Sequence, residues 1–372
     1  MKRVACAALL IAACGGSKPA MPQDAHLPAS DAPSPAHVVA YISGYGPSIA
    51  WFDFDPATGT LAPVASIAAA QPQPSFLAIT STHLYAVSES ASRVGAYAID
   101  PATGALTFIN DVASGGDGPA HVSVDRAGKY ALVANYGGGT VAVLPIRADG
   151  GLDAARQTLA PGTNAHMIVA DAGNAHVFVP CKGSDYVAQY TFDAATGTLA
   201  PNAVPELATD AGAGPRHLAF APDGAHAYLI AENASTLTAL AYDTATGRLT
   251  PLHTVSTRAT GATGTNTGAE VWVHPSGKFV YGSNRGDDNI AVFAIDPATG
   301  RVTPTGHTPT GGHTPRDFAL DPTGAWLVAA NQDSNSVVTF AIDPTTGALA
   351  PTGAPLAMTM PSFVGFLALP AR

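Results

Sequence analysis

The sequence predicts an all-β fold, a seven-bladed β-propeller with four antiparallel strands per blade, closed by pairing of the C-terminal strand with the N-terminal blade. Three observations point there. One five-residue phrase, Asp-Pro-Ala-Thr-Gly, recurs along the chain. Its copies are spaced by the length of one blade. One strand motif occurs seven times, and its last copy stands alone at the C-terminus.

The phrase occupies residues 55–59, 100–104 and 296–300, with close variants at 193–197, 243–247 and 343–347. Asp bonds backbone two residues on, Pro pre-sets φ for the next turn position, and Gly accepts a positive φ at the end. Each copy lies between two strand-like runs, so it reads as a hairpin turn of type I with a terminal Gly. A worn copy around Asp149, "RADGGL", fills the one gap, and the steps are then 45, 49, 44, 50, 53 and 47 residues. A period of that size with several short strands per unit is a propeller signature.

Each unit divides into strands A to D. The A strands are expected at 74–80, 119–125, 164–170, 215–221, 268–274, 315–321 and 361–367. Strand B is apolar and often ends in Asn ("YALVAN", "FVYGSN"). Strand C reads like "NIAVFAI" and runs into the turn that opens strand D. The seventh A strand has no B, C or D after it. Its partners are at the other end of the chain, "HVVAYIS" as B and "SIAWFDF" as C. Closing the ring this way leaves no open edge.

Domain boundaries follow from composition. Residues 1–13 begin with Lys2 and Arg3 and continue in an apolar run too short to span a bilayer, which reads as a secretion signal. The residues ending at Cys14 resemble the lipobox of bacterial lipoproteins, with Cys14 lipidated as the first mature residue. Residues 14–36 are rich in Pro, Ala, Gly and Ser and read as a disordered tether. The propeller is expected over 37–372. The reading places the protein as an exported, membrane-anchored lipoprotein, in the outer membrane or periplasm by the Gly15 that follows the Cys. Cys6 leaves with the signal, so Cys181 has no partner for an intramolecular disulfide.

The formal charge is −10, or −12 without Lys2 and Arg3. An acidic balance with no basic run argues against nucleic acid, while leaving room for a small anion held by local arginines. The membrane is met only through the lipid, and nothing in the sequence asks for more than a monomer.

Strand alternation puts the A-strand starts and the B-to-C loops on one face and the repeated turns on the other. The repeat marks scaffold, so function is sought where the copies disagree. At the third A position stand Phe76, His121, His166, His217, Glu270, Asp317 and Phe363. At the second stand Ser75, Ala120, Ala165, Arg216, Ala269, Arg316 and Ser362. The B-to-C loops contribute Gly44, Glu89, Tyr136, Lys182, Glu232, Arg285 and Gln332. Blade packing does not need His, Glu, Arg and Lys at matched axial positions, whereas a site with acid/base groups beside anion-holding cations does.

At "GPRHLAFAPDGAHAYLIAENASTL" (214–237), "AEVWVHPSGKFVYGSNRGDDNIAVFAID" (269–296) and "PRDFALDPTGAWLVAANQDSNSV" (315–337) the sequence resembles the lactonase family of seven-bladed propellers, which includes 6-phosphogluconolactonases and carboxymuconate-lactonising enzymes. The resemblance covers nearly all of 37–372. It implies an enzyme that hydrolyses, or reversibly cyclises, a small anionic lactone such as a 6-phosphogluconolactone-like sugar lactone, with no metal or cofactor required. It implies catalytic roles for His166, Arg216, Glu232 and Arg285, with Glu232 or His166 as base and the arginines holding an oxyanion, a carboxylate or a phosphate. His217, Glu270, His121, Lys182 and Arg316 are expected to contact substrate. Cys181-Lys182-Gly183 departs from the family's Asp-Leu-Gly, and an exported member is expected to meet a lactone other than the cytoplasmic one. Two other readings stay open: a non-catalytic, surface-anchored propeller of the YVTN-repeat kind that binds a sugar, peptide or wall component, and a metal site made by His121, His166 and His217.

Overall fold

The computed structural model describes residues 37–370. The signal segment, Cys14 and the tether lie outside the described residues. Seven four-stranded antiparallel sheets make up the described chain, each ordered A-B-C-D. In the first, the A strand is Pro361–Leu369, hydrogen-bonded to the N-terminal B strand His37–Gly44 with register from His37↔Leu369 to Ser43↔Phe363. The ring is therefore closed by its two ends, as the unpaired seventh motif requires.

The cores lie between blades. Alternating residues of the B and C strands pack against those of the next sheet, as where Tyr228, Ile230 and Leu237 meet Val271, Val280 and Phe293. The repeated turns form as their chemistry dictates. In the first, Gly59 N–H bonds Asp55 O at 2.8 Å, Ala57 N–H bonds Asp55 Oδ1 at 2.9 Å, and Gly59 has φ 70°. The turns also join blades. A buried Tyr of one blade donates to the turn-glycine carbonyl of the next: Tyr41 to Gly104 at 2.7 Å, Tyr85 to Gly150 at 3.1 Å, Tyr228 to Gly300 at 3.0 Å and Tyr281 to Gly347 at 3.0 Å. At the closure Trp326 takes this part, its indole N–H on Pro56 O at 2.9 Å.

Two local departures from expectation have clear causes. The A strand expected over 164–170 is reduced to Val169–Ala170. The facing B strand carries Pro180, which has no N–H to donate, so its carbonyl accepts from His166 N–H and the ladder stops there. The second departure places the site. The A strands that begin Pro74, Pro119, Pro215 and Pro315 each shift register between their first and third residues. A β-bulge of this kind re-aims side chains. Residues two and three, which a regular strand sends to opposite faces, both reach the axis.

Candidate functional site

The bulge in strand Pro215–Phe220 brings Arg216 and His217 to the axis together, and that in Pro315–Leu320 does the same for Arg316 and Asp317. Glu232 follows directly on strand His226–Ala231, and Arg285 ends strand Phe279–Arg285. Lys182 follows strand His176–Cys181. These three B-to-C positions belong to consecutive blades, and their side chains converge.

The centre of convergence is the Glu232 carboxylate. Lys182 Nζ lies 2.8 Å from Oε1, and Arg285 Nη2 lies 3.1 Å from Oε2. Arg216 Nε lies 3.2 Å from Oε2 without the alignment of a hydrogen bond. Arg216 Nη1 donates to Ala269 O at 2.5 Å, Arg285 Nη2 to Gly268 O at 3.0 Å, and Lys182 Nζ to Tyr136 Oη at 3.3 Å. Burial alone would raise the Glu232 carboxyl, but Arg216, Arg285 and Lys182 together hold it down at about 2. Burial, with Arg285 alongside, brings Arg216 down to about 10. The cluster is not an open mouth: the side chains of Arg216, Glu232 and Arg285 are only 3%, 12% and 13% exposed. Three cations on one carboxylate draw the cluster shut.

Below this cluster lies the ring of third positions. His217 Nδ1 lies 2.7 Å from Glu270 Oε2. The His166 and His217 rings meet edge to face at 5.1 Å between centroids, and His121 and His217 at 5.6 Å. Burial first, and then nearby charge, Arg216 for His166 and His217 and His217 for His121, holds the three imidazoles well below the usual range, so all three are neutral at pH 7. Burial raises Glu270 to about 7 and pushes Asp317 well up, with Glu270 adding to the latter. His166 Nδ1 is buried with no hydrogen-bond partner in the protein. A crevice of about 10 Å³, lined by His166, Arg216, His217, Glu270, Arg316 and Asp317 among others, leads down from the cluster.

Of the residues singled out in the sequence, His166, Arg216, Glu232 and Arg285 stand together here, with Lys182, His217, Glu270 and Arg316 beside them. His121 does not itself line the crevice; its ring lies 4.4 Å from that of Phe76, which does. The three histidines pack against one another as rings, and among the described residues no group of three or more His, Cys, Asp or Glu side chains is arranged to hold a metal ion. Tyr45 was missed. Its ring lies under the Arg316 guanidinium at 5.3 Å and its hydroxyl donates to Glu89 at 2.9 Å. It is next to Gly44 in the B-to-C loop of the split blade, so extending the loop alignment by one residue would have found it.

The family model described as "Lactonase, 7-bladed beta-propeller" matches residues 36–366. The 6-phosphogluconolactonase of Bacillus subtilis (strain 168) is 32% identical over 294 residues, covering 76% of this chain and 83% of the relative. That of Pectobacterium carotovorum subsp. carotovorum (strain PC1) is 34% identical over 240 residues, 64% of this chain and 71% of the relative. Among solved structures, the periplasmic gluconolactonase of Pseudomonas aeruginosa superimposes with a TM-score of 0.83 at 30% identity, over 90% of this chain and 100% of its own. With the match spanning almost the whole propeller, the chain belongs to the lactonase family of seven-bladed β-propellers.

Proposed function

We propose that this protein hydrolyses a small anionic sugar lactone at the Glu232 cluster. One observation carries the reading: of the three cations that hold one carboxylate, Arg216 lines a crevice together with a neutral, buried imidazole, His166, that has an unpartnered ring nitrogen. Four cations, Lys182, Arg216, Arg285 and Arg316, gather here against Glu232 and Glu89, in a chain whose formal charge is −10. Such a local excess attracts an anion despite the global sign. The relatives named for sugar lactones support the substrate class.

The division of labour follows from the charges. Glu232, already saturated by cations and held at about 2, is a poor base. His166 is the better proton acceptor. The crevice of about 10 Å³ has room for roughly one water, the smallest space that holds one. That water attacks the lactone carbonyl carbon from below, and His166 takes its proton. The charge that develops on the carbonyl oxygen falls to Arg216 and Arg285. The bond from carbonyl carbon to ring oxygen breaks, the imidazole returns the proton to the departing oxygen, and a hydroxy acid leaves. Glu232 keeps the guanidinium groups in place throughout.

The test is pH-stat hydrolysis of gluconolactone and 6-phosphogluconolactone above the spontaneous rate. His166→Ala is expected to lower kcat by about 10²–10⁴-fold, the usual contribution of a positioned base. If the wild type turns over no lactone in a broad panel, the cluster is instead a ligand cup without turnover.

We further propose that the protein is exported and anchored by lipid on Cys14 after removal of residues 1–13. The periplasmic relative supports export. Cell fractionation of Cys14→Ser is expected to show loss of membrane association. Unchanged processing and fractionation would refute the anchor.

A further inference from the structure

The axis holds a second, larger cavity. It has a volume of about 330 Å³ and lies on the other side of the third-position ring from the Glu232 cluster, opening among the turns that follow the A strands, at Ser81, Pro275 and Pro322. That is within the usual range of small-molecule sites, roughly 300–1,000 Å³. Its walls are aromatic and aliphatic, with Phe76, Phe220, Trp272 and Phe363 prominent, and Phe76, Phe220 and Trp272 remain partly exposed within it. Its floor is polar. His121, His217, Glu270 and Asp317 form part of the lining, each more than nine-tenths buried, and His217 Nε2 has no hydrogen-bond partner in the protein.

The two ends of the axis are opposite in charge. The cluster end carries four cations. The chamber is lined by three carboxyl side chains and two imidazoles, and by no Lys or Arg. Asp321, at the rim, is committed to its own turn, accepting from Trp326 N–H at 2.8 Å and Thr323 N–H at 3.0 Å. Glu270 and Asp317 remain at the floor, Glu270 with Oε1 accepting from Val271 N–H at 2.9 Å and Oε2 2.7 Å from His217 Nδ1. Arg216 acts on both, but from the cluster side, where Glu232 and Ala269 O engage it. Buried carboxyls without a cation in their own chamber are a receptor for one. Aromatic walls above them attract the same kind of charge through their ring faces.

We propose that the chamber is a second ligand site, which takes a compact apolar amine with its ammonium on Glu270 and Asp317 and its hydrocarbon part against Phe76, Phe220 and Trp272. Burial inclines Glu270 and Asp317 to hold a proton, and an ammonium draws them to the ionised form whereas an anion opposes it, so the lactone and its acid product stay at the cluster end. This inference does not depend on catalysis.

The experiment is calorimetric titration of the purified full chain with phenethylamine, phenethyl alcohol and hydrocinnamate, which share one apolar body and differ in the charge of the head. The amine is expected to saturate and to bind at least about tenfold tighter than the alcohol, a difference of about 1.4 kcal/mol, and the acid to show no saturable heat. Trp272 fluorescence is expected to respond to the amine, and the response to vanish in Trp272→Phe while the heat persists. Ala368→Trp and Ser81→Trp, at exposed rim positions, are expected to weaken the amine at least about tenfold with lactone hydrolysis unchanged. Absence of saturation, equal binding of the alcohol or the acid, no effect of either rim variant, or displacement of the amine by 6-phosphogluconate would each overturn the proposal. Heat of binding requires no turnover, so the result stands apart from the hydrolysis test.

Discussion

At the scale of single residues, Arg285 sets the strongest test of the cluster. It makes an ion pair with Glu232 and a hydrogen bond to Gly268 O, and its side chain is nearly enclosed. Arg285→Ala is expected to cut lactone turnover by about 10²–10³-fold, as removal of one oxyanion partner does. It also removes that ion pair and the charged hydrogen bond to Gly268 O, so a stability loss of about 1.5–3 kcal/mol accompanies it in urea unfolding. Arg285→Lys, which keeps the charge but not the planar fork, separates the two effects. Its unfolding midpoint should recover more than its kcat. Glu270 tests the floor of the axis. Its carboxyl moves from 4.5 to about 7 on folding, chiefly through burial. The folded state therefore binds the extra proton. The stability this provides is fully present below about 4.5 and is lost as pH rises through about 7. Glu270→Gln is expected to lose less stability between pH 5 and pH 8 than the wild type, measured by denaturant midpoints at the two values. An equal pH dependence in both proteins would remove Glu270 as the cause. His166 gives the complementary profile. Burial holds its imidazole below the usual range, so the free base persists on acidification. The rate attributed to it should stay flat from pH 8 to below about 6.5, its ordinary pKa, and fall only beneath that.

At the scale of elements, the repeated turn and the bulged A strand divide the work. The turn joins blade to blade. Tyr228→Phe removes the hydroxyl that bonds Gly300 O and leaves a buried carbonyl without that donor. The expected loss is about 0.5–1.5 kcal/mol in unfolding free energy, with lactone turnover unchanged. Gly347→Ala is more severe. The residue has φ 73°, and an added Cβ would come within 2.7 Å of the Phe279 ring. The bulged A strand carries the candidate chemistry. Its position was legible because seven copies align, and the charged residues in the second and third columns stood out against apolar repeats. The bulge itself was not legible. It arises from pairing between A and B strands, and no residue in "PRHLAFA" announces it beyond the leading Pro. Its effect was nonetheless anticipated in part, since Arg216 and His217 were each assigned to the axis from their columns.

At the scale of the whole molecule, closure is the feature most open to test. Truncation after Pro361 removes Phe363, Val364, Phe366, Leu367 and Leu369, all buried. Each such side chain contributes roughly 1.5–3 kcal/mol on burial, which together is comparable to the about 5–15 kcal/mol that stabilises an ordinary domain. The truncated chain is expected to show no cooperative thermal transition by circular dichroism. A folded truncation product would mean that His37–Gly44 does not depend on its C-terminal partner. The sequence by itself determined the blade count, the four-strand unit and the split first blade. Those properties rest on local turn chemistry and on a period, and both are written along the chain. Tertiary structure alone decided how the axial residues share charge. Lys182, Arg216 and Arg285 come from three blades to one carboxylate, and only their distances and burial show that they hold the Glu232 carboxyl down at about 2. It also decided that the axis is divided into a cationic end and an acidic end, because electrostatics depends on which groups are left without partners once the blades have closed.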